Sequence, residues 1–160
     1  MIELLNADEY RGYFISEFAK LERAIDLFIA NYFIQKNPRL HNEIISVLID
    51  RLSFDGKRTA LKALLDLKYP KIENIHNSGK VRNFKKLLDE IGKSSRIRNY
   101  YAHYFSVDYS NFPQVAIALV QFRDSVNIII YKKNEFDKQI QDINKSFIEV
   151  QRLKDELKIE

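Results

Sequence analysis

The sequence predicts a mainly α-helical bundle of about five to six helices, with a β-hairpin before a long C-terminal helix. Two patterns carry this prediction. Over most of the chain, apolar residues recur at steps of three and four, which is the spacing of one buried helix face. In the region of residues 115–130 they alternate instead, which is typical of strands. The 160 residues suffice for one hydrophobic core, so we expect a single domain over 1–160.

Four helical segments are predicted before the hairpin. The first carries an apolar stripe that begins at Phe14, and Asn6 or Asp8 is its expected N-cap. A turn at Phe54-Asp55-Gly56 separates the second helix from the third, and Pro70 ends the third. In the fourth, Gly92 and the serine pair after it predict either a bend or a restart as a separate short helix. The expected ranges are about 8–35, 38–52, 57–69 and 81–103.

The hairpin and the last helix complete the predicted fold. Two short alternating runs flank Arg123-Asp124-Ser125, which we expect to form the connecting turn. The last helix begins with a capping signal at Asn134-Glu135-Phe136-Asp137 and runs on an apolar stripe as far as Leu157. The alternating residues are Val115, Ile117 and Leu119 in the first strand and Val126, Ile128 and Ile130 in the second.

Composition excludes several classes of site. The chain has no cysteine, so disulfides, thiol catalysis and thiolate metal sites are excluded. The three histidines, His41, His76 and His103, have no ligand-type partner three or four residues away, so we expect neither a metal nor a cofactor. No apolar run reaches the ~18–20 residues that span a bilayer, and the acidic residues near the N-terminus do not suit a signal peptide. We therefore expect a cytoplasmic protein that does not enter the membrane.

Positive charge is concentrated in the middle of the chain. The segment 57–98 has twelve Lys/Arg against four Asp/Glu, a net +8, whereas the whole chain has a net charge of +4 and the remainder therefore carries −4. Such a basic segment in an otherwise acidic chain is a plausible footprint for a polyanion. Solvated lysine-rich helix faces are an equally common reason for the same pattern.

The one motif with catalytic residue types is Arg98-Asn99-Tyr100-Tyr101-Ala102-His103. Arginine keeps its charge and presents a planar set of donors to phosphate oxygens. Histidine titrates near neutral pH, so it can accept or donate a proton. Because RNA contains its own nucleophile, the 2′-hydroxyl, these two side chains supply what phosphodiester cleavage needs without a metal.

Helical spacing places the members of this motif on different faces. Asn99 lies four residues before His103, on the same face, where it is expected to hold the imidazole by a hydrogen bond. Arg96 lies seven residues before His103, on nearly the same line, whereas Arg98 lies about 140° away around a regular helix. For Arg98 and His103 to act together, the helix must end or unwind near His103, or the substrate must cross it. Both arginines stay candidates for the phosphate contact.

An arginine followed by four to six residues and a histidine, late in a small helical domain, resembles the signature of the HEPN superfamily. The segment 84–91 resembles the helix that leads into the motif in many members, and Phe18-Ala19-Lys20-Leu21-Glu22-Arg23-Ala24-Ile25 resembles the first core helix with its embedded acid. The resemblance covers about 10–105. It divides the chain into a helical core, 1–105, and an extension, 106–160.

The resemblance implies a metal-independent endoribonuclease that acts on single-stranded RNA or tRNA loops. It implies His103 as the acid or base, Arg98 as the phosphate clamp, and Asn99 and Glu22 as orienting residues, with Arg96 and Tyr104 in support. Members are usually homodimers in which two motifs face each other across a basic cleft. Many are toxins with a cognate antitoxin, or phage-defence effectors.

Three further expectations concern individual side chains. Glu22 interrupts the apolar stripe of the first helix, and a buried carboxylate needs a partner; Arg98 is the partner we expect, and a position at the rim of the core is the alternative. Tyr100, Tyr101 and Tyr104 are expected at a dimer interface, with a place in the core and stacking on RNA bases as the alternatives. Some HEPN toxins are regulated by modification of a tyrosine two residues after the histidine. Here that position is Phe105, so we do not expect that regulation.

A second class of function uses the same basic surface without catalysis. In one interpretation the chain is a purely structural helical dimer whose polar motif completes the interface. In the other it is an adaptor domain that binds RNA, a nucleotide or a partner protein. Salt-dependent binding without turnover would identify it.

Overall fold

The computed structural model is mainly helical, as the sequence predicted. It describes residues 6–34, 38–69, 84–107, 111–122 and 125–157. The described residues form five α-helices, one 3₁₀ turn and a three-stranded antiparallel sheet. In chain order these are α1 (Ala7–Phe33), α2 (Pro38–Val47), the 3₁₀ turn (Ile49–Arg51), α3 (Phe54–Lys68), α4 (Lys85–His103), β1 (Phe105–Val107), β2 (Val115–Phe122), β3 (Val126–Lys132) and α5 (Lys133–Glu156).

Helix α1 is the centre of the bundle, because it packs against the four other helices. Its predicted apolar stripe forms most of the inner surface, and Asn6 caps it by accepting a hydrogen bond from the Glu9 amide at 3.0 Å. The core also includes side chains of α3, α4, α5 and β2. Its largest fully buried members are Phe14, Phe18, Leu21, Ile25, Phe28, Leu61, Leu65, Ile91, Tyr101, Ile117, Leu119 and Phe136.

Two helix boundaries differ from the expected ones by three residues or more. Helix α3 begins at Phe54, not after Gly56, because Ser53 caps it and accepts a hydrogen bond from the Gly56 amide at 3.2 Å. The predicted turn is therefore the first turn of the helix. Helix α2 ends at Val47, and a 3₁₀ turn takes up the rest of its expected range.

Helix α4 neither bends into two helices nor restarts. It runs without interruption through Gly92 and the two serines to His103, and Ser94 is buried. The predicted start of this helix at 81 lies outside the described residues, as does the loop before it.

The expected hairpin is present as β2 and β3, and β1 pairs with the other edge of β2 to give the strand order β1-β2-β3. Arg123 and Asp124 of the predicted turn lie outside the described residues. One face of β2 turns Ile117 and Leu119 into the bundle core. Helix α5 then begins at Lys133, one residue before the expected start, where the Lys132 amide donates to the Glu135 carboxylate at 2.8 Å.

Candidate functional site

The motif lies at the C-terminal end of α4. His103 is the last helical residue, and the chain turns there because Tyr104 is extended, with φ −92° and ψ 151°. The Tyr104 amide still donates to the Tyr100 carbonyl at 3.0 Å. His103 is exposed at this corner, directly before β1. The helix therefore ends at His103, one of the conditions under which Arg98 and His103 could act together.

Arg11 of α1 binds the backbone at the end of α4. Its Nη2 donates to the carbonyl oxygens of Ala102 and Tyr104, at 3.2 and 2.9 Å. These carbonyls flank His103, and the last carbonyls of a helix have no partner within the helix. A guanidinium also suits the negative end of the helix dipole. Arg11 therefore sets the position of the backbone that carries the imidazole.

Arg98 and His103 leave α4 in different directions. The helix is regular between them, so the two side chains are separated by about 140° around the axis. Arg98 is half-buried and donates from Nη1 to the Asn99 side-chain oxygen at 3.3 Å. The expected hydrogen bond from Asn99 to His103 is not formed in the described structure, and the Asn99 side-chain oxygen accepts from Arg98. Within one chain the fold does not bring the predicted clamp and the imidazole together.

Arg96 and His103 do share a face. They are two helical turns apart, roughly 10 Å along the axis, and both are exposed. Three more cations lie on the same side of α4, and Asp89 is the one acid among them. We call this surface the α4 basic face, and its members are Lys85, Lys86, Lys93, Arg96 and His103.

The α4 basic face borders a groove between α4 and α5. The groove has a volume of about 400 Å³ and is lined by four lysines, two acids, Leu87 and Ser146. None of the four lysines forms an ion pair with a described residue. The Oε2 atom of Glu90 is buried there and has no hydrogen-bond partner among the described residues. The charged lining residues are Lys86, Glu90, Lys93, Lys138, Asp142 and Lys145.

Glu22 does not pair with Arg98, so that expectation was wrong. Its partner is Lys57 of α3, whose Nζ lies 2.8 Å from Glu22 Oε1. The same ammonium lies 3.0 and 3.1 Å from the two carboxylate oxygens of Asp26, one helical turn further along α1. The packing of α1 against α3 brings these groups together. Glu22 is therefore the half-buried member of an ion cluster between α1 and α3, in which Lys57 and Asp26 are buried.

Burial and pairing act in opposite directions on this cluster. Burial raises the pKa of Asp26, although its hydrogen bond with Lys57 works against that rise. For Lys57, burial lowers the pKa, but the hydrogen bonds from Glu22 and Asp26 outweigh it and the net change is upward. The ammonium is thus held in its charged form by its two carboxylates.

The three motif tyrosines separate into two roles. Tyr101 is fully buried, stacked between Phe14 and Tyr131 at centroid distances of 4.3 and 5.7 Å, and its hydroxyl donates to Gln139 at 3.2 Å. It belongs to the core, which excludes both base stacking and a dimer contact for this residue. Tyr100 and Tyr104 are half-buried, with ring centroids 5.2 Å apart. Burial raises the pKa of Tyr131 to about 12.

Comparison of the chain with known proteins gives no relative. No protein-family model, curated protein or solved structure was found to match this chain. In the described ranges, no group of three or more His, Asp or Glu side chains is arranged to hold a metal ion. No helix among those residues has the length and apolarity to cross a membrane. His76 lies outside the described residues.

Sequence reasoning missed Arg11, Lys57 and Asp26. The sequence could have indicated Asp26, because this residue follows Glu22 by four positions and so lies on the same helix face. Lys57 was counted only as part of the basic segment. Arg11 had no local signal, since its role depends on where α1 crosses the end of α4.

Proposed function

We propose that this chain is a metal-independent endoribonuclease of HEPN type that cleaves single-stranded RNA or tRNA loops. The observation that carries the proposal is the position of His103. It is an exposed imidazole at the end of α4, in line with Arg96 and with three lysines on one basic face. A proton-transfer group beside cations is the arrangement that RNA cleavage requires.

The reaction needs two proton transfers. An imidazole in its neutral form accepts the proton of the ribose 2′-hydroxyl, and the 2′-oxygen forms a bond to phosphorus. The bond between phosphorus and the 5′-oxygen of the next nucleotide breaks, and that oxygen takes a proton from an acid. The products are a 2′,3′-cyclic phosphate and a 5′-hydroxyl. Since His103 cannot easily be base and acid at once, we propose a homodimer that supplies a second His103.

Arg96 and Arg98 have different tasks in this proposal. Arg96 shares the α4 basic face with His103, so it is placed to bind a phosphate on the strand that His103 acts on. Arg98 points about 140° away and reaches the same phosphate only where the strand crosses the end of the helix or a second chain faces the first. The rate of RNA cleavage by the Arg98→Ala variant, compared with that by the Arg96→Ala variant, distinguishes these two roles.

The RNA backbone would follow α4. The α4 basic face adjoins the lysines of the α4–α5 groove, where Glu90 and Asp142 are the two acids. Four lysines of this surface form no ion pair with a described residue: Lys86, Lys93, Lys138 and Lys145. Unpaired lysines that replace counterions on phosphates give sequence-independent, salt-dependent affinity. We propose that this surface holds the strand while His103 reaches the scissile bond.

The biological setting follows from the resemblance alone. We propose a cytoplasmic toxin or phage-defence effector, which would be held inactive by a cognate antitoxin until it is released. Growth arrest on expression that is relieved by His103→Ala, and not by a substitution at the remote and exposed Arg51, would support this setting.

A non-catalytic alternative rests on one observation. Because Arg98 and His103 diverge along a regular helix and make no shared contact, the lysine-lined groove would bind RNA or a nucleotide without cleaving it. The polar motif would then be part of a helical dimer that binds RNA or a partner protein. This alternative predicts binding that weakens with salt and no product.

One assay tests both functions. The purified chain is incubated with end-labelled single-stranded RNA in EDTA, beside the same sequence as DNA, and binding is measured in parallel. The endoribonuclease proposal predicts cleavage of RNA only, with 2′,3′-cyclic phosphate ends. Binding to both strands without any product over a range of RNA sequences and tRNAs would reject it in favour of the alternative.

A further inference from the structure

The sheet has an outer face, turned away from the bundle, that is made of apolar side chains. Directly paired residues of antiparallel strands point to the same side of a sheet. The pairs Phe105↔Val120 and Val107↔Ala118 join β1 to β2, and three more pairs join β2 to β3. We call this surface the sheet outer face, and its members are Phe105, Val107, Ala118, Val120, Phe122, Val126, Ile128 and Ile130.

Most of this face is open to solvent. Six of its eight side chains are between 38% and 66% exposed, and only Ala118 and Val120 on the central strand are buried. These two lie under their neighbours and are not part of the main core. The rings of Phe105 and Phe122 contact each other across the strands, with centroids 6.0 Å apart. No described helix or loop covers them.

The size of the face is that of an interface. If a fully exposed side chain of this size has about 150–200 Å² of accessible surface, the six exposed side chains leave roughly 500–600 Å² of apolar surface in contact with water. Apolar patches of this extent on a monomer are often sites of association. Two such faces together remove roughly 1,100 Å² from water, close to the lower end of about 1,200–2,000 Å² for a stable pair of proteins.

We propose that the sheet outer face binds the same face of a second copy of this chain. In a two-fold dimer each surface meets itself, so it must be self-complementary. A face whose eight members are all uncharged meets its copy without repulsion between like charges. Lys132 lies at one end of β3, beyond the last apolar pair, where it stays in solvent.

This interface also bears on the proposed active site. Phe105 is two residues after His103, on the strand that begins where α4 ends. Docking of the outer faces therefore brings the backbone that carries His103 in each copy to within two residues of the interface. If the proposed function holds, the partner's imidazole is the second proton-transfer group, and the dimer is needed for cleavage.

Two valines provide a matched test. Val126 on the outer face and Val47 at the end of α2 are 63% and 64% exposed, so Val126→Lys and Val47→Lys remove equal apolar surface and add the same charge. Mass in solution is measured by sedimentation for both variants and for the unmodified chain, from 1 to 100 μM as an approximate range around typical dimer affinities. Far-UV circular dichroism confirms that each variant is folded, and Ile128→Lys repeats the test at a second position.

The expected result is a dimer for the unmodified chain and for Val47→Lys, and at least a tenfold weaker dimer for Val126→Lys and Ile128→Lys. A monomer at every concentration, or a dimer that both outer-face variants leave intact, overturns the proposal. Sedimentation is done without RNA, so a dimer that depends on Val126 stands even if no RNA is cleaved. If the folded, monomeric Val126→Lys variant cleaves RNA as fast as the dimer, the contribution of the partner's His103 is rejected.

Discussion

The ion cluster of Lys57, Glu22 and Asp26 gives the sharpest prediction about stability. Replacing Lys57 with Met keeps the length of the side chain but leaves two carboxylates one helical turn apart, of which Asp26 is buried. Removing one partner of a buried ion pair costs about 3–5 kcal/mol, because the remaining charge loses its compensation. For a chain of this size that is a decrease in Tm of roughly 10–15 °C. Lys62→Met, on the exposed side of the same helix, is the control and should change the free energy of unfolding by less than about 0.5 kcal/mol.

The effect of Lys57→Met depends on pH with a defined sign. The pKa of Lys57 is raised above its ordinary 10.5 in the folded chain, so its stabilisation is complete below that pH and is lost at higher pH. The unmodified chain should therefore lose stability above pH 10.5 more steeply than the variant. At the acid end, the pKa of Asp26 is raised above 3.8, so its ionisation opposes folding as the pH rises through that range, and more so without Lys57. The deficit of the variant should shrink as the pH falls towards 4.

Urea denaturation followed by circular dichroism measures these free energies at each pH. Equal stability of Lys57→Met and Lys62→Met at pH 7 would refute the reasoning. A deficit that stays constant between pH 7 and pH 4 would show that the loss comes from packing rather than from the uncompensated carboxylates.

Two further predictions concern the glycines Gly12 and Gly92 and the side chain of Arg11, each with a paired variant for comparison. Gly12→Ala should stabilise the chain by about 0.5–1 kcal/mol, because an added Cβ in the second turn of α1 meets no atom within 4 Å. Gly92→Ala should stabilise it less, because Arg58 Nη1 lies 2.9 Å from the new Cβ and has to move. Equal gains in thermal denaturation would contradict that contact. Arg11→Met should lower kcat for RNA cleavage about tenfold and leave KM unchanged, because a displaced backbone at His103 affects the rate more than RNA binding. The control Arg23→Met, at an exposed position, should change neither constant. A larger KM at normal kcat would show that Arg11 binds RNA instead.

Most of the fold could be predicted because its periodic patterns are long. The stripe on α1 and the alternation in β2 and β3 extend over enough residues to define their faces. β1 was missed because three residues show no period of their own, and only the pairing with β2 makes them a strand. The start of α3 was misplaced because Gly56 favours a turn locally, whereas the cap from Ser53 favours a helix.

The candidate site could be predicted only where it depends on one helix. The positions of Arg96, Arg98 and His103 around α4 follow from helical geometry, and the divergence of Arg98 from His103 was expected for a regular helix. The partner of Glu22 could not be predicted, since Lys57 and Arg98 are both cations far away in sequence and the packing of α1 on α3 decides between them. Arg11 depends in the same way on tertiary packing.

The decisive step of the proposed function is proton transfer by the imidazole of His103 at the scissile phosphodiester. It is tested most directly by the initial rate of RNA cleavage in EDTA for the unmodified chain and for His103→Ala, with matched folding by circular dichroism and matched RNA affinity. Loss of an acid–base group predicts a rate lower by about 10²–10⁴-fold, with binding retained. Cleavage by His103→Ala at the rate of the unmodified chain would contradict this role of His103.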